Sequence, residues 1–142
     1  MINRKAFIVG IKSTSLSKKE IIFLKKYKPW GVILFSRNVK KFEQIKKLIK
    51  DIRFIFKDKN YPILIDQEGG RVNRLNKLIE TSILTAEFFG NLYKKNKKKF
   101  FNYYKIYINQ ISYLLNEIGA NINTVPVLDV RRVKSSNIIG DR

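Results

Sequence analysis

The feature that most constrains this chain is a rhythm. Short apolar runs rich in β-branched residues alternate with longer stretches whose apolar residues recur at helical spacing. "KAFIVGI" (Lys5 to Ile11), "WGVILFS" (Trp30 to Ser36) and "YPILID" (Tyr61 to Asp66) are of the first kind. The second and third are continuous apolar runs, as expected of strands buried on both faces of a parallel sheet. Between them, "KKFEQIKKLIKDIRFIF" places Phe42, Ile45, Leu48, Ile49, Ile52 and Phe56 on one helical face. A helix is also expected after Ser17, because Glu20 follows at the spacing of a capping box. Further on come a short helix around Ala86 to Tyr93 and a long one over Lys98 to Gly119, the glycine closing it. A fourth strand is expected over Asn121 to Val130. Strands that alternate with helices predict an α/β fold with a parallel sheet and right-handed crossovers. No linker divides the chain.

Composition narrows the chemistry. The 142 residues contain no cysteine and no histidine. That removes disulfides, thiolate metal sites, the usual zinc ligand and the usual general base. Any proton transfer would fall to Asp, Glu, Lys or Tyr. The absence of cysteine fits a reducing compartment. The N-terminal apolar stretch is too short for a secretory signal, and no run approaches membrane-spanning length. The expectation is a cytoplasmic protein without a membrane partner. The net charge is +19, yet the basic residues are mostly lysines spread along the chain, and "KKNKKK" (Lys94 to Lys99) is the one dense run. That pattern reads as a solvated surface in a Lys-, Asn- and Ile-rich composition, so no nucleic-acid partner is expected. Phe100, Phe101, Tyr104 and Tyr107 follow the run at helical spacing, which suits a core face.

One stretch departs from its surroundings. "YPILIDQEGGRVNRL" (Tyr61 to Leu75) ends an apolar strand in two acids, two glycines and two arginines. In parallel α/β folds ligands bind at the carboxyl ends of the strands, which is where Asp66 falls. A carboxylate there can accept hydrogen bonds from sugar hydroxyls, and the forked donors of Arg71 and Arg74 can fix a carboxylate or hydroxyl. The same residues could instead form an ion-pair network that braces the loop. Neither nucleotide-binding glycine pattern, GxGxxG nor GxxxxGK[ST], is present.

Taken together, "WGVILFSRNVKKFEQIKKLIKDIR", "LIDQEGGRVNRL", "ANINTVPVLDV" and "IIGDR" resemble, in that order, the N-terminal domain of glycoside hydrolase family 3, in its bacterial beta-N-acetylhexosaminidase branch. The resemblance implies a (β/α)8 TIM barrel with helices outside, of which residues 1–142 would supply about the first four βα units, truncated. It implies retaining hydrolysis of beta-linked N-acetylglucosamine, as in peptidoglycan turnover fragments, without metal or cofactor. It also assigns substrate-binding roles: Asp66 grips sugar hydroxyls, and Arg74 and Arg142 are sugar-binding arginines. Glu68 and Asp129 would brace the loops at the barrel mouth. Asp66 and Glu68 lie two residues apart, but the resemblance places the family's nucleophile elsewhere, so they are not expected to act as a catalytic pair.

The family's nucleophilic Asp and its His-Asp acid/base belong to segments with no counterpart here, so no catalytic residue is assigned. A complete barrel takes about 250 residues. The resemblance therefore implies a truncated or split gene or a fragmentary gene model, and a chain inactive by itself; its open strand edge should make it associate or dissolve poorly unless a second chain supplies the missing half barrel. A residual sugar-binding module and a basic nucleic-acid-binding protein are the alternative readings.

Overall fold

The computed structural model describes residues 4–128. Within them the order is β1 (Lys5–Gly10), α1 (Lys18–Tyr27), β2 (Pro29–Leu34), α2 (Phe42–Phe56), β3 (Ile63–Ile65), α3 (Ala86–Lys95), α4 (Lys97–Ile118) and β4 (Ile122–Asn123). The four strands form one sheet in the order β1-β2-β3-β4. Every neighbouring pair is parallel, as the alternation of strands and helices predicts.

Local chemistry sets the helix ends. Ser17 Oγ accepts from the Glu20 N–H at 3.2 Å, while the Glu20 carboxylate accepts from the Ser17 N–H at 2.8 Å. This completes the capping box at the start of α1. Asn96 both terminates α3 and caps α4, its side chain accepting from the Lys99 N–H at 2.9 Å. Gly119 ends α4 at φ 94°, a left-handed conformation that a side chain would resist.

Strand alternation then separates two faces of the sheet. Val32 and Leu34 of β2 and Ile63 and Ile65 of β3 lie beneath the helices. There they join Leu24, Ile45, Leu48, Ile49, Ile52, Ile111, Leu115 and Ile118 in one buried cluster. Burying each such side chain contributes roughly 1.5–3 kcal/mol relative to leaving it in water. The opposite face carries Gly31 and Leu64. A Cβ on Gly31 would lie 2.9 Å from the Leu64 side chain, so the close packing of β2 on β3 depends on that glycine.

Several sequence expectations shift in detail. Trp30 is 42% exposed, so β2 is not buried on both faces at its first turn. The strand over 121–130 is paired only at Ile122–Asn123 among the described residues. Phe101 is 61% exposed, so the aromatic row of α4 is only partly a core face. Phe100, Tyr104 and Tyr107 do pack, clustering around Phe89 of α3. Asp129 and Arg142 lie outside the described residues.

Candidate functional site

The carboxyl ends of the four strands converge on one rim, tied together by side chains. The chain leaving β1 offers the Ile11 carbonyl, which accepts from Asn38 Nδ2 at 2.9 Å and from Arg37 Nε at 3.0 Å. Asn38 is fully buried in the turn after β2 and also donates to the Ser13 carbonyl at 2.7 Å. Ser36 of the same turn donates to the Asn73 carbonyl at 3.4 Å, reaching the loop after β3. Asn123 of β4 accepts from the Gln67 N–H at 3.1 Å.

Asp66 is the first residue beyond β3. Arg74 Nη2 donates to its Oδ2 at 3.1 Å, and the Thr124 hydroxyl donates to its Oδ1 at 3.3 Å. The Arg74 and Asp66 side chains are 27% and 22% exposed, so the pair is braced yet open to a small polar ligand. A carboxylate held this way can accept from hydroxyls, and the guanidinium beside it can donate to them. Thus the structure brings together two of the three residues expected to bind substrate, Asp66 and Arg74. Arg142 falls outside the described residues.

Between Asp66 and Arg74 the backbone must make its own shape. Gly69 and Gly70 adopt φ 91° and 54°, the glycine-favouring half of conformational space. The Glu68 N–H donates to the Val72 carbonyl at 3.1 Å, and Gly70 donates to Thr81 at 2.9 Å. Gln67, which the sequence reading assigned no role, turns out to be the hub. It is 2% exposed. Its amide donates to Asn73 Oδ1 at 3.0 Å and to Thr81 Oγ1 at 3.3 Å, and it accepts from the Leu75 N–H at 3.0 Å. A cue was available. A glycine loop with no ladder of its own leaves backbone groups that some side chain must satisfy, and a glutamine amide can both donate and accept.

The Glu68 carbonyl accepts from the Tyr107 hydroxyl at 3.3 Å. Burial, then the neighbouring Tyr104, raises the Tyr107 phenol above its ordinary value of 10.0. Here a groove of about 680 Å³ opens between the glycine loop and helices α3 and α4. Phe89, Tyr93, Phe100 and Tyr104 are among its walls. Asp66 and Arg74 lie outside it, on the open rim. The acid–arginine pair expected from the sequence to bind substrate is therefore on the rim and does not line the groove.

Among the described residues no group of three or more Asp or Glu side chains is placed to hold a metal ion. No described helix is long and apolar enough to cross a membrane.

A parallel α/β sheet that gathers a braced acid–arginine pair at the carboxyl ends of its strands has the layout in which α/β folds place their ligand sites. The chain belongs to glycosyl hydrolase family 3: that family's N-terminal domain matches residues 5–142. It is 34% identical over 139 residues to a beta-hexosaminidase of Haemophilus ducreyi, an overlap of 95% of this chain and 38% of that protein. A beta-hexosaminidase of Thioalkalivibrio sulfidiphilus is 28% identical over 135 residues, again 95% of this chain and 38% of the relative. Among solved structures, native NagZ from Neisseria gonorrhoeae superposes with a TM-score of 0.72 at 27% identity, covering 91% of this chain and 38% of that one. The chain thus spans 38% of the length of these relatives. Its four parallel strands with their helices form part of a TIM barrel.

Proposed function

We propose that these residues form the saccharide-gripping part of a beta-N-acetylhexosaminidase barrel. Asp66 and Arg74 hold the hydroxyls of a saccharide that contains N-acetylglucosamine, and Arg142 adds a third contact. The observation that carries this reading is the Asp66–Arg74 ion pair at the carboxyl end of β3, partly exposed and braced by Thr124. The names of the relatives supply the reaction class. Peptidoglycan turnover fragments in the cytoplasm are the substrate and setting that the bacterial branch of the family suggests.

In this reading the 142 residues position sugar but do not cleave it. Retaining hydrolysis needs a nucleophilic carboxylate and an acid/base about 5–5.5 Å from it. Asp66 has both oxygens engaged, by Arg74 and Thr124, and the sequence holds no histidine. A second polypeptide segment that continues the sheet past β4 supplies both groups. Positioning is still worth having. Holding the ring in register lowers the barrier even when the bond-breaking groups come from elsewhere.

The test is complementation. The 142-residue chain is assayed on a chromogenic N-acetylglucosaminide alone and together with the remaining barrel segment of a family relative. Release is expected only from the combination, and Asp66→Ala in this chain should abolish it. Turnover by the 142 residues alone would refute the division of labour. Silence from the combination, with both segments shown to associate, would refute the assignment of the rim.

A further inference from the structure

Two guanidinium groups share the ring of Phe35, the residue just past β2. Arg37 Cζ lies 4.5 Å from the ring centroid and Arg74 Cζ lies 5.5 Å from it. We infer that Phe35 is a positioning residue, whose ring holds the Arg74 guanidinium in the orientation that meets Asp66 and a bound saccharide. The second half of that statement rests on the sugar-binding role proposed for Arg74; the first does not.

Arg74 needs such a support. One of its terminal nitrogens is committed to Asp66. Its Nε is buried and has no acceptor among the described residues. A guanidinium held only at its tip can pivot about that contact. The flat, weakly hydrated face of guanidinium stacks well on an aromatic ring, which therefore restrains the pivot where hydrogen bonds do not.

The turn that carries the ring is itself fixed at three points. The Phe35 N–H donates to Asn38 Oδ1 at 2.9 Å, and the buried Asn38 is anchored in turn to Ile11 and Ser13. Next along the chain, Ser36 reaches the carbonyl of Asn73, the neighbour of Arg74. Arg37 lies against the same ring while its Nε holds the Ile11 carbonyl. Gly10 completes the arrangement. A Cβ there would sit 3.0 Å from Arg37 Nη2 and 3.3 Å from Phe35 Cε2, so a side chain at this point of β1 would push ring and guanidinium by a few tenths of an ångström. The loops after β1 and β2 thereby aim a side chain that belongs to the loop after β3.

The test reads Arg74 directly. In the 15N-labelled chain, the Arg74 Nε–Hε signal is assigned by its loss in Arg74→Lys, and its exchange with solvent is measured. Arg53 Nε, also buried without an acceptor among the described residues, is the internal reference. Phe35→Leu should speed exchange at Arg74 by about two- to five-fold, the scale of one partly exposed cation–π contact, and leave Arg53 unchanged. Phe35→Trp should keep the slow exchange, since a face of similar kind remains. Gly10→Ala crowds the ring without removing it and should move the same signal in the same direction. Unchanged Arg74 exchange in both Phe35→Leu and Gly10→Ala overturns the inference. So does an equal rise at Arg53, which would mean that Phe35 acts through the fold as a whole. Binding of N-acetylglucosamine is followed in parallel by calorimetry. A wild-type chain that binds no sugar but shows the exchange pattern removes the saccharide reading and leaves the positioning role standing.

Discussion

Arg74 Nη2 donates to Asp66 Oδ2 at 3.1 Å, closing a glycine loop whose ends are eight positions apart. The contact joins the two ends of that loop and places a charge of each sign on the rim. Asp66→Asn keeps the shape but removes the counter-charge. Unfolding in urea should show a loss of about 1 kcal/mol, the upper range for a partly exposed pair. Arg74→Lys should cost a similar amount, because an ammonium cannot reproduce the guanidinium's forked donors beside Asp66 and its broad face over Phe35.

Gln67 is a different case, since its partners are buried with it. Gln67→Ala leaves the Leu75 N–H and the Asn73 and Thr81 side chains short of a partner inside the protein. The expected cost is about 2–4 kcal/mol, more than the rim ion pair, because an unpaired buried polar group forfeits its full desolvation free energy. The midpoint of urea unfolding measures it. A loss no larger than that of Asp66→Asn would contradict the hub assignment.

Two glycines should respond in opposite directions. Gly69 has φ 91°, and a Cβ there would sit 2.5 Å from the Leu84 carbonyl oxygen and 2.7 Å from the Tyr107 hydroxyl. Gly69→Ala is expected to destabilise by about 2–4 kcal/mol through strain and overpacking combined. Gly90 lies inside α3, and a Cβ there would meet nothing within 4 Å. Gly90→Ala should stabilise by about 0.5–1 kcal/mol, the helix-propensity difference. Thermal melts of the two variants, side by side, check the contrast.

Stability should fall in strong alkali, in part through Tyr61. Its phenol is fully buried, stacks on Phe56 at 3.9 Å and donates to the Pro29 carbonyl at 2.8 Å. Burial pushes it well above its ordinary value of 10.0, although the nearby Arg4 pulls the other way. The folded state keeps this proton at pH values where the unfolded chain has given it up. The contribution is therefore complete below about pH 10 and declines as the pH rises above that toward the folded value. Tyr61→Phe should flatten the decline between pH 9 and 12, in urea melts at about one-unit steps. Some slope should remain from Tyr107, which is shifted in the same direction.

Much of the fold could be read from spacing. The apolar runs, the face carried by Ile45, Leu48, Ile49 and Ile52, and the Ser17–Glu20 box each report a short-range preference, and all of them agree with the parallel sheet. Strand lengths were less legible. Tyr61 and Pro62 read as part of β3, yet pairing begins at Ile63, because a strand's limits depend on where its neighbour runs and not on its own residues. Trp30 reads as buried and is 42% exposed for the same reason: nothing in its own segment says whether another element will cover it.

In the candidate site, Asp66 and Arg74 stood out because charge is rare at the end of an apolar run, and the motif around them resembles a known family. An ion pair bracing the loop was one of the two roles open to these residues, but nothing in the stretch said which groups would form it. Local sequence dictates dihedral preferences and hydrophobic period, so it determined that this chain would alternate strand and helix and end a strand in a glycine loop. Which side chains meet depends on how loops from different strands fold over one rim. Only the tertiary structure could place Thr124 on Asp66, sink Gln67 among Asn73, Thr81 and Leu75, and lay Arg74 on a ring from the loop after β2. Thr124 and Asp66, like Arg74 and Phe35, are far apart in the chain, and the free energy of their contacts exists only once the sheet has brought the strand ends together.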